Sequence, residues 1–199
     1  MTKDTSDLTA LLGSRICHDL ISPLGAIGNG VELLMMSGDA AGPEIALIAQ
    51  SVTNANAKIR FFRIAFGHCS ADQRVAQSEV RSVLDDITRG GRLSIEWLCE
   101  GDPLRSDVKI AFLAVQCFET ALPYGGRITI EEIDGRWHLQ ARAEKMLITP
   151  EIWSRLRGEP CTKDVSPAHV QFALLPLELQ RQSRRATLEL TDTKIAFSY

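Results

Sequence analysis

One apolar stripe constrains the fold of this chain more than any other feature of its sequence. Seven apolar residues recur at alternating intervals of three and four: Ile45, Ile48, Val52, Ala55, Ile59, Phe62 and Phe66. Two apolar positions in every seven are typical of a helix in a coiled coil or a helical bundle. The sequence therefore predicts a long helix that begins at about Pro43, because proline suits the first helical position.

A first long helix is predicted over residues 6–36, before a turn around residue 40. Its large apolar residues project onto one face at the helical period: Ile16, Leu20, Leu24, Ile27, Val31 and Leu34. Two antiparallel helices joined by a short turn cannot bury both apolar faces alone, so the hairpin needs a partner hairpin. We therefore expect residues 1–70 to form a homodimer through a four-helix bundle.

Residues 71–199 have a different pattern, in which helical and strand signals alternate along the chain. The predicted helices span residues 78–88, 107–122, 150–157 and 167–181, and the predicted strands span residues 92–99, 127–132, 136–141, 186–190 and 194–197. The pair Asp134-Gly135 is typical of the turn in a β-hairpin. The predicted fold class is thus α+β, with the N-terminal helical hairpin followed by an α/β sandwich of one helical layer on one sheet.

Composition and charge exclude several classes of protein. The net charge is −3, whereas a nucleic-acid-binding module normally carries a basic excess. The polar N-terminus lacks the apolar segment of a secretory signal, and no apolar run approaches the roughly 20 residues of a membrane-spanning helix. The five cysteines are scattered and form no CxxC pair: Cys17, Cys69, Cys99, Cys117 and Cys161. We therefore expect a cytoplasmic protein with no nucleic-acid or membrane partner, no disulfide framework and no metal site.

His18 is the candidate for a chemically active residue. It projects onto the face opposite the apolar stripe of the first helix, beside the small or polar residues Ser14, Ser22 and Gly25. A bulky partner could therefore approach the imidazole ring. A single histidine on a helix surface is usually only a solvated residue, and we interpret three others in that way: His68, His138 and His169.

The residues that follow His18 indicate more than a solvated side chain. Pro23 lies inside the predicted helix, where a proline removes a backbone hydrogen bond and costs about 3 kcal/mol. The string from Arg15 to Leu24 resembles the H-box of histidine kinases, in which a histidine, an acid and a proline follow one another: His18, Asp19 and Pro23. In those kinases the H-box lies in the dimerisation and histidine-phosphotransfer domain. The resemblance implies that His18 accepts a phosphoryl group.

The resemblance to kinases extends to the order of elements in residues 71–199, but not to the nucleotide-binding boxes. Residues 112–120, in the helix that should offer an asparagine to magnesium and phosphate, contain none. Residues 142–147 lack the Asp-x-Gly motif that holds adenine, and residues 166–172 lack the glycine-rich lid. Without those glycines the backbone cannot wrap closely around a triphosphate. We therefore expect no ATP binding and no bound cofactor.

The whole chain resembles the ChpT-type histidine phosphotransferases of alphaproteobacteria. The motifs that carry this resemblance are His18-Asp19-Leu20, Pro23 to Ile27, Asn29-Gly30, Glu32 to Leu34 and Ala121 to Gly126. The resemblance implies a homodimer with a degenerate ATPase domain. It also implies that His18 receives phosphate from the receiver domain of a hybrid histidine kinase and passes it to response regulators of the cell cycle. A divergent ATP-dependent histidine kinase and a non-catalytic dimeric adaptor remain open as alternatives.

Phosphoryl transfer requires mainly positioning and charge stabilisation from a protein. The expected catalytic pair is His18 with Asp19, although side chains of adjacent helical residues point about 100° apart and do not face each other. Magnesium is expected on the partner receiver. An antiparallel hairpin with its turn near residue 40 places His18 level with about Phe61. The predicted docking surface for a receiver therefore draws on both helices: Ser14, Arg15, Ser22, Arg60, Phe61 and Arg63.

Overall fold

The computed structural model describes residues 3–36, 42–159 and 164–199, with side chains from residue 10 onward. The turn predicted around residue 40 and Cys161 lie outside the described residues. The chain divides into two compact units, Met1–Cys69 and Ser70–Tyr199. The described elements of the first unit are helices, and the second unit combines helices with a five-stranded sheet, which confirms the α+β fold class. No helix in the described ranges is both long and apolar enough to cross a membrane.

The first unit is an antiparallel pair of helices, α1 (Lys3–Met36) and α2 (Pro43–Ala65). Helix α1 continues through Pro23 without a break. Two glycines of α1 mark where the helices approach each other: a Cβ atom on Gly28 would lie 3.3 Å from Cγ1 of Val52, and one on Gly13 would lie 3.3 Å from the carbonyl oxygen of Phe66. This register places His18 level with residues 61–62, as the sequence predicts.

Helix α1 packs on α2 through a face that includes only part of its predicted apolar stripe. Most of the residues that α1 buries or half-buries recur at intervals of three and four: Ala10, Ser14, Cys17, Ile21, Leu24, Gly28 and Val31. In contrast, Ile16, Leu20 and Ile27 are 51%, 45% and 50% exposed. The predicted stripe is therefore divided, because Leu24 and Val31 belong to the packed face and the other large residues stay exposed. Small side chains such as Gly28 let the two backbones approach closely, whereas Ile16, Leu20 and Ile27 stay exposed outside this contact.

The second unit follows the predicted order of elements. Its elements are α3 (Gln77–Thr88), β1 (Leu93–Trp97), α4 (Arg105–Ala121), β2 (Gly126–Ile133), β3 (Arg136–Arg142), α5 (Pro150–Trp153), 3-10 turns at Ser154–Arg157 and Pro167–His169, α6 (Gln171–Arg181), β4 (Thr187–Leu190) and β5 (Lys194–Ser198). Asp134 and Gly135 have positive φ angles of 53° and 76° and form the hairpin turn between β2 and β3, as their sequence predicts.

The sheet has the strand order β1-β2-β3-β5-β4, with β1 parallel to β2 and the other neighbours antiparallel. Helix α4 packs on β3 and on α6, and most of its side chains are buried. A buried ion pair joins α4 to α6, with 3.4 Å between Nζ of Lys109 and Oε2 of Glu178. Side chains alternate along each central strand between this core and the open face of the sheet.

Candidate functional site

His18 lies midway along α1 with 83% of its side chain exposed. Ser22, one turn further along the helix, is also exposed. A Cβ atom on Gly25 would meet nothing within 4 Å, so the surface beyond Ser22 is open. The imidazole ring is therefore accessible to a large partner, as the sequence predicts.

Asp19 joins His18 to Arg15 in a short chain of polar contacts. Its Oδ1 atom lies 3.1 Å from Nδ1 of His18, and its Oδ2 atom accepts a hydrogen bond of 2.7 Å from Nε of Arg15. The expectation that adjacent side chains on a helix do not face each other is thus wrong for His18 and Asp19. Both side chains are long enough to meet across the angle between them. The ion pair of Arg15 with Asp19 was missed, although its spacing of four residues is the usual signal for such a pair.

The contact with Asp19 determines which ring nitrogen of His18 carries the proton. An ionised carboxylate only accepts hydrogen bonds, so the nitrogen that faces it must be the protonated one. In the neutral ring the other nitrogen, Nε2, then holds the free electron pair. The structure thus pairs an exposed nucleophilic nitrogen with a carboxylate on the opposite side of the same ring.

The electrostatics around Asp19 favour its charged form. The hydrogen bond from His18 lowers the pKa of the Asp19 carboxyl most, and the hydrogen bond and positive charge of Arg15 lower it further. The carboxylate therefore stays ionised as the pH falls below the ordinary pKa of an aspartate, and the contact with His18 persists with it.

On α2, the structure separates the three predicted docking residues. Phe61 is only 2% exposed, so its assignment to the docking surface is wrong. The packed face of α2 is rotated by one residue here, since Phe61 is buried while Phe62 of the predicted stripe is 39% exposed. Arg60 and Arg63 are half-buried, on the part of α2 that lies level with His18.

Ser14 and Cys17 connect the turn of α1 before His18 to the end of α2. The hydroxyl oxygen of Ser14 accepts a hydrogen bond of 2.9 Å from the backbone N–H of His68. Burial raises the pKa of the Cys17 thiol, and the positive charge of Arg63 partly opposes this rise. Ser14 thus holds the hairpin together on one side of His18, and Arg63 lies close enough to α1 to act on it electrostatically.

In the second unit, two of the three segments that lack nucleotide-binding motifs pack into the core. Residues 112–120 belong to the buried helix α4. Residues 166–172 form a 3-10 turn and the start of α6, where the buried Phe172 packs against Trp153 with 5.2 Å between ring centres. In the described part of the chain, no group of three His, Cys, Asp or Glu side chains is arranged to hold a metal ion.

Known proteins resemble both this fold and this sequence. The family model for the histidine phosphotransferase C-terminal domain matches residues 77–194. The protein phosphotransferase ChpT of Brucella abortus (strain 2308) is 30% identical, in an alignment that covers 100% of this chain and 97% of that protein. A bacterial phosphotransferase solved at 1.7 Å has a TM-score of 0.70 and 23% identity, over 100% of this chain and 97% of that one.

The solved phosphotransferase supports the fold over the full length, whereas the family model and the Brucella relative carry the assignment of the family. The histidine kinase domain from Erythrobacter litoralis aligns with a TM-score of 0.42 and 10% identity, over 92% of this chain and 93% of that one, which is too little to assign a fold. The family model matches more than half of the chain, and the Brucella relative is similar from end to end. This chain therefore belongs to the ChpT-like histidine phosphotransferases.

Proposed function

We propose that this chain is the histidine phosphotransferase of a cytoplasmic two-component phosphorelay and that His18 is its phosphorylated residue. His18 receives the phosphoryl group from the receiver domain of a hybrid histidine kinase. It then passes the group to aspartates of response regulators, which the ChpT-type resemblance links to the cell cycle. One observation carries the proposal: His18 is 83% exposed and its Nδ1 atom is held by Asp19. This arrangement leaves Nε2 open to an approaching protein.

The transfer can be written as a single displacement between two proteins. The electron pair on Nε2 of His18 attacks the phosphorus of the receiver's aspartyl phosphate, so that an N–P bond forms while the acyl phosphate P–O bond breaks. The receiver's aspartate leaves as a carboxylate. The imidazole ring becomes positively charged because Nδ1 keeps its proton, and Asp19 at 3.1 Å offsets that charge. We assign the magnesium ion that stabilises the phosphoryl oxygens to the receiver.

Apolar side chains left exposed on both helices support a homodimer. Ile16, Leu20 and Ile27 on α1 are 45% to 51% exposed, and Ile48 and Phe62 on α2 are 44% and 39% exposed. Large exposed apolar patches are rare in monomers and mark surfaces that bind a partner. A second copy of the hairpin offers the same apolar side chains, so two copies can bury them in a four-helix bundle.

For the second unit we propose a role in docking receiver domains rather than in binding ATP. It belongs to the family domain that follows the phosphotransfer hairpin, yet it lacks the asparagine, the Asp-x-Gly motif and the glycine-rich lid of a kinase. The segment in place of the lid is anchored by Phe172, which is fully buried. A segment packed into the core in this way is poorly suited to close over a nucleotide.

Transfer of radioactive phosphate from a phosphorylated receiver domain to the purified chain tests this function. We expect labelling from the receiver and none from magnesium-ATP alone. Labelling from magnesium-ATP in the absence of any receiver would identify a histidine kinase instead. Binding to receivers without labelling from either source would identify a non-catalytic adaptor.

A further inference from the structure

A row of three cations crosses the open face of the sheet. Arg127, Arg142 and Lys194 are register partners on β2, β3 and β5, so Arg142 has a cation beside it on both sides. The next row along the strands is fully buried and consists of Ile128, Ala141 and Ile195. Because side chains alternate between the two faces of a strand, the cations lie on the face opposite the core.

This row is unfavourable for the sheet itself. Like charges directly opposite each other on neighbouring strands destabilise their pairing, and opposite charges stabilise it. A carboxylate at position 142 would be flanked by Arg127 and Lys194 and would form a favourable pair with each. The sequence instead carries a third cation there, which indicates that the charge serves a purpose other than folding.

Two further cations extend the row at the same end of the sheet. Arg92 and Lys145 line an open cleft of about 650 Å³ together with Arg127. The Lys145 ammonium lies 5.9 Å from the centre of the Tyr124 ring, which is 62% exposed. We name these cations the basic row: Arg92, Arg127, Arg142, Lys145 and Lys194.

Acidic side chains neutralise only part of the basic row. Glu96 forms an ion pair of 2.5 Å with Arg127, Glu144 lines the same cleft, and Asp192 lies in the turn before Lys194. Among the described residues, the other four cations form no ion pair with a carboxylate: Arg92, Arg142, Lys145 and Lys194. The basic row is thus a local excess of positive charge on a chain whose net charge is −3.

We propose that the basic row docks an acidic surface of a receiver domain, an inference that rests on the proposed phosphotransfer function. A receiver that holds magnesium does so through carboxylates and presents negative charge, which the net charge of this chain would repel. A local row of cations counters that repulsion and raises the rate of encounter. Since both units belong to one chain, capture on the second unit also raises the effective concentration of the receiver at His18.

A charge-reversal pair tests this proposal against a matched control. The row variant carries Arg142→Glu with Lys194→Glu, and the control carries Arg81→Glu with Arg185→Glu, which alters the net charge equally. Arg81 and Arg185 are exposed and lie outside the row, on α3 and before β4. A milder variant, Arg142→Gln with Lys194→Gln, keeps the test valid if charge reversal impairs folding. The probe is the receiver domain that the wild-type chain phosphorylates fastest within a panel of purified receivers.

We expect the row variant to bind the fluorescently labelled receiver at least about tenfold more weakly than the control at low salt, with a smaller difference at high salt. Phosphorylation of His18 by phosphoramidate, which needs no docking, should be the same in all variants. Receiver binding by the row variant within twofold of the control would overturn the proposal. A row variant that loses binding to duplex DNA but keeps its binding to the receiver would also overturn the proposal. If neither phosphoramidate nor a phosphorylated receiver phosphorylates the wild-type chain, the proposed phosphotransfer function is wrong, and this proposal with it.

Discussion

At the scale of single residues, the proposed chemistry depends on three side chains of one helix. Arg15 orients and charges Asp19, and Asp19 in turn holds Nδ1 of His18 at 3.1 Å. Pro23 has no backbone N–H, so the carbonyl group of Asp19, four residues earlier, lacks its usual helical hydrogen bond. His18 therefore lies beside a carboxylate that is already paired with Arg15 and a backbone carbonyl that lacks its helical donor.

The lowered pKa of Asp19 gives a prediction at this scale. The hydrogen bond from His18 is the largest cause and that from Arg15 the second, so His18→Gln should raise the pKa more than Arg15→Gln does. NMR detection of the Asp19 carboxyl carbon during a pH titration measures all three proteins. In the wild type the carboxylate should persist below the ordinary aspartate pKa, and its contact with His18 should be lost only as the pH falls through the lowered value. An Asp19 that titrates identically in all three would contradict the contact.

At the scale of elements, helix α1 has two apolar faces rather than one. Its small residues, such as Gly28, pack on α2, whereas Leu20 and Ile27 remain half exposed. The proposed dimer uses the second face. Each helix in a four-helix bundle contacts a neighbouring helix on either side, and a helix with two apolar faces suits that position.

Replacing Ile27 with Glu is expected to dissociate the dimer without unfolding the hairpin. Ile27 is 50% exposed within one chain, so its charge would be buried only when a second copy packs on it. Sedimentation at micromolar concentration measures the oligomeric state, with Asn29→Glu on the His18 face as the control. A wild-type chain that sediments as a monomer would contradict the bundle.

A charge at Ile59 should have a different effect. Ile59 is 8% exposed within a single chain, so Ile59→Asp places an unpaired carboxylate in the core of the hairpin itself. We expect a loss of about 3 kcal/mol or more in the free energy of unfolding. The exposed neighbour Lys58, changed to Asp, should alter it by less than about 0.5 kcal/mol. Urea unfolding at one fixed protein concentration compares the two, and equal effects would contradict the packing.

Much of the fold can be predicted from the sequence because its elements have strong local signals. Pro43 begins α2, Asp134-Gly135 forms the hairpin turn between β2 and β3, and α4 has the apolar content of a buried helix. The faces of the long helices are harder to predict, because two apolar stripes share one period in α1. Phe61 and Phe62 are adjacent aromatic residues, and only the packing of α2 decides which of them is buried.

Only part of the candidate site can be predicted from the sequence. The motif of His18, Asp19 and Pro23 can be recognised along the chain, whereas the contact between Asp19 and His18 depends on side-chain conformations that helical geometry does not determine. The basic row shows the same limit. Its members Arg127, Arg142 and Lys194 are far apart in the sequence, and only the register of the strands aligns them.

At the scale of the whole molecule, the chain combines a helical hairpin that carries His18 with a second unit of mixed helices and strands. We expect isothermal titration calorimetry with magnesium-ATP to detect no binding, because the second unit lacks the three nucleotide-binding boxes. A histidine kinase measured under the same conditions is the positive control. A micromolar dissociation constant for this chain would contradict the proposed loss of nucleotide chemistry.

The role of His18 is tested most directly by asking which histidine takes the phosphoryl group from a phosphorylated receiver. The wild-type chain should acquire an acid-labile, alkali-stable label, as expected of a phosphoramidate. His18→Gln should acquire none and should still sediment as the wild type does, because the side chain is 83% exposed. His68→Gln, His138→Gln and His169→Gln should be labelled normally. A label that persists in His18→Gln, or that maps to one of the other three histidines, would contradict the account.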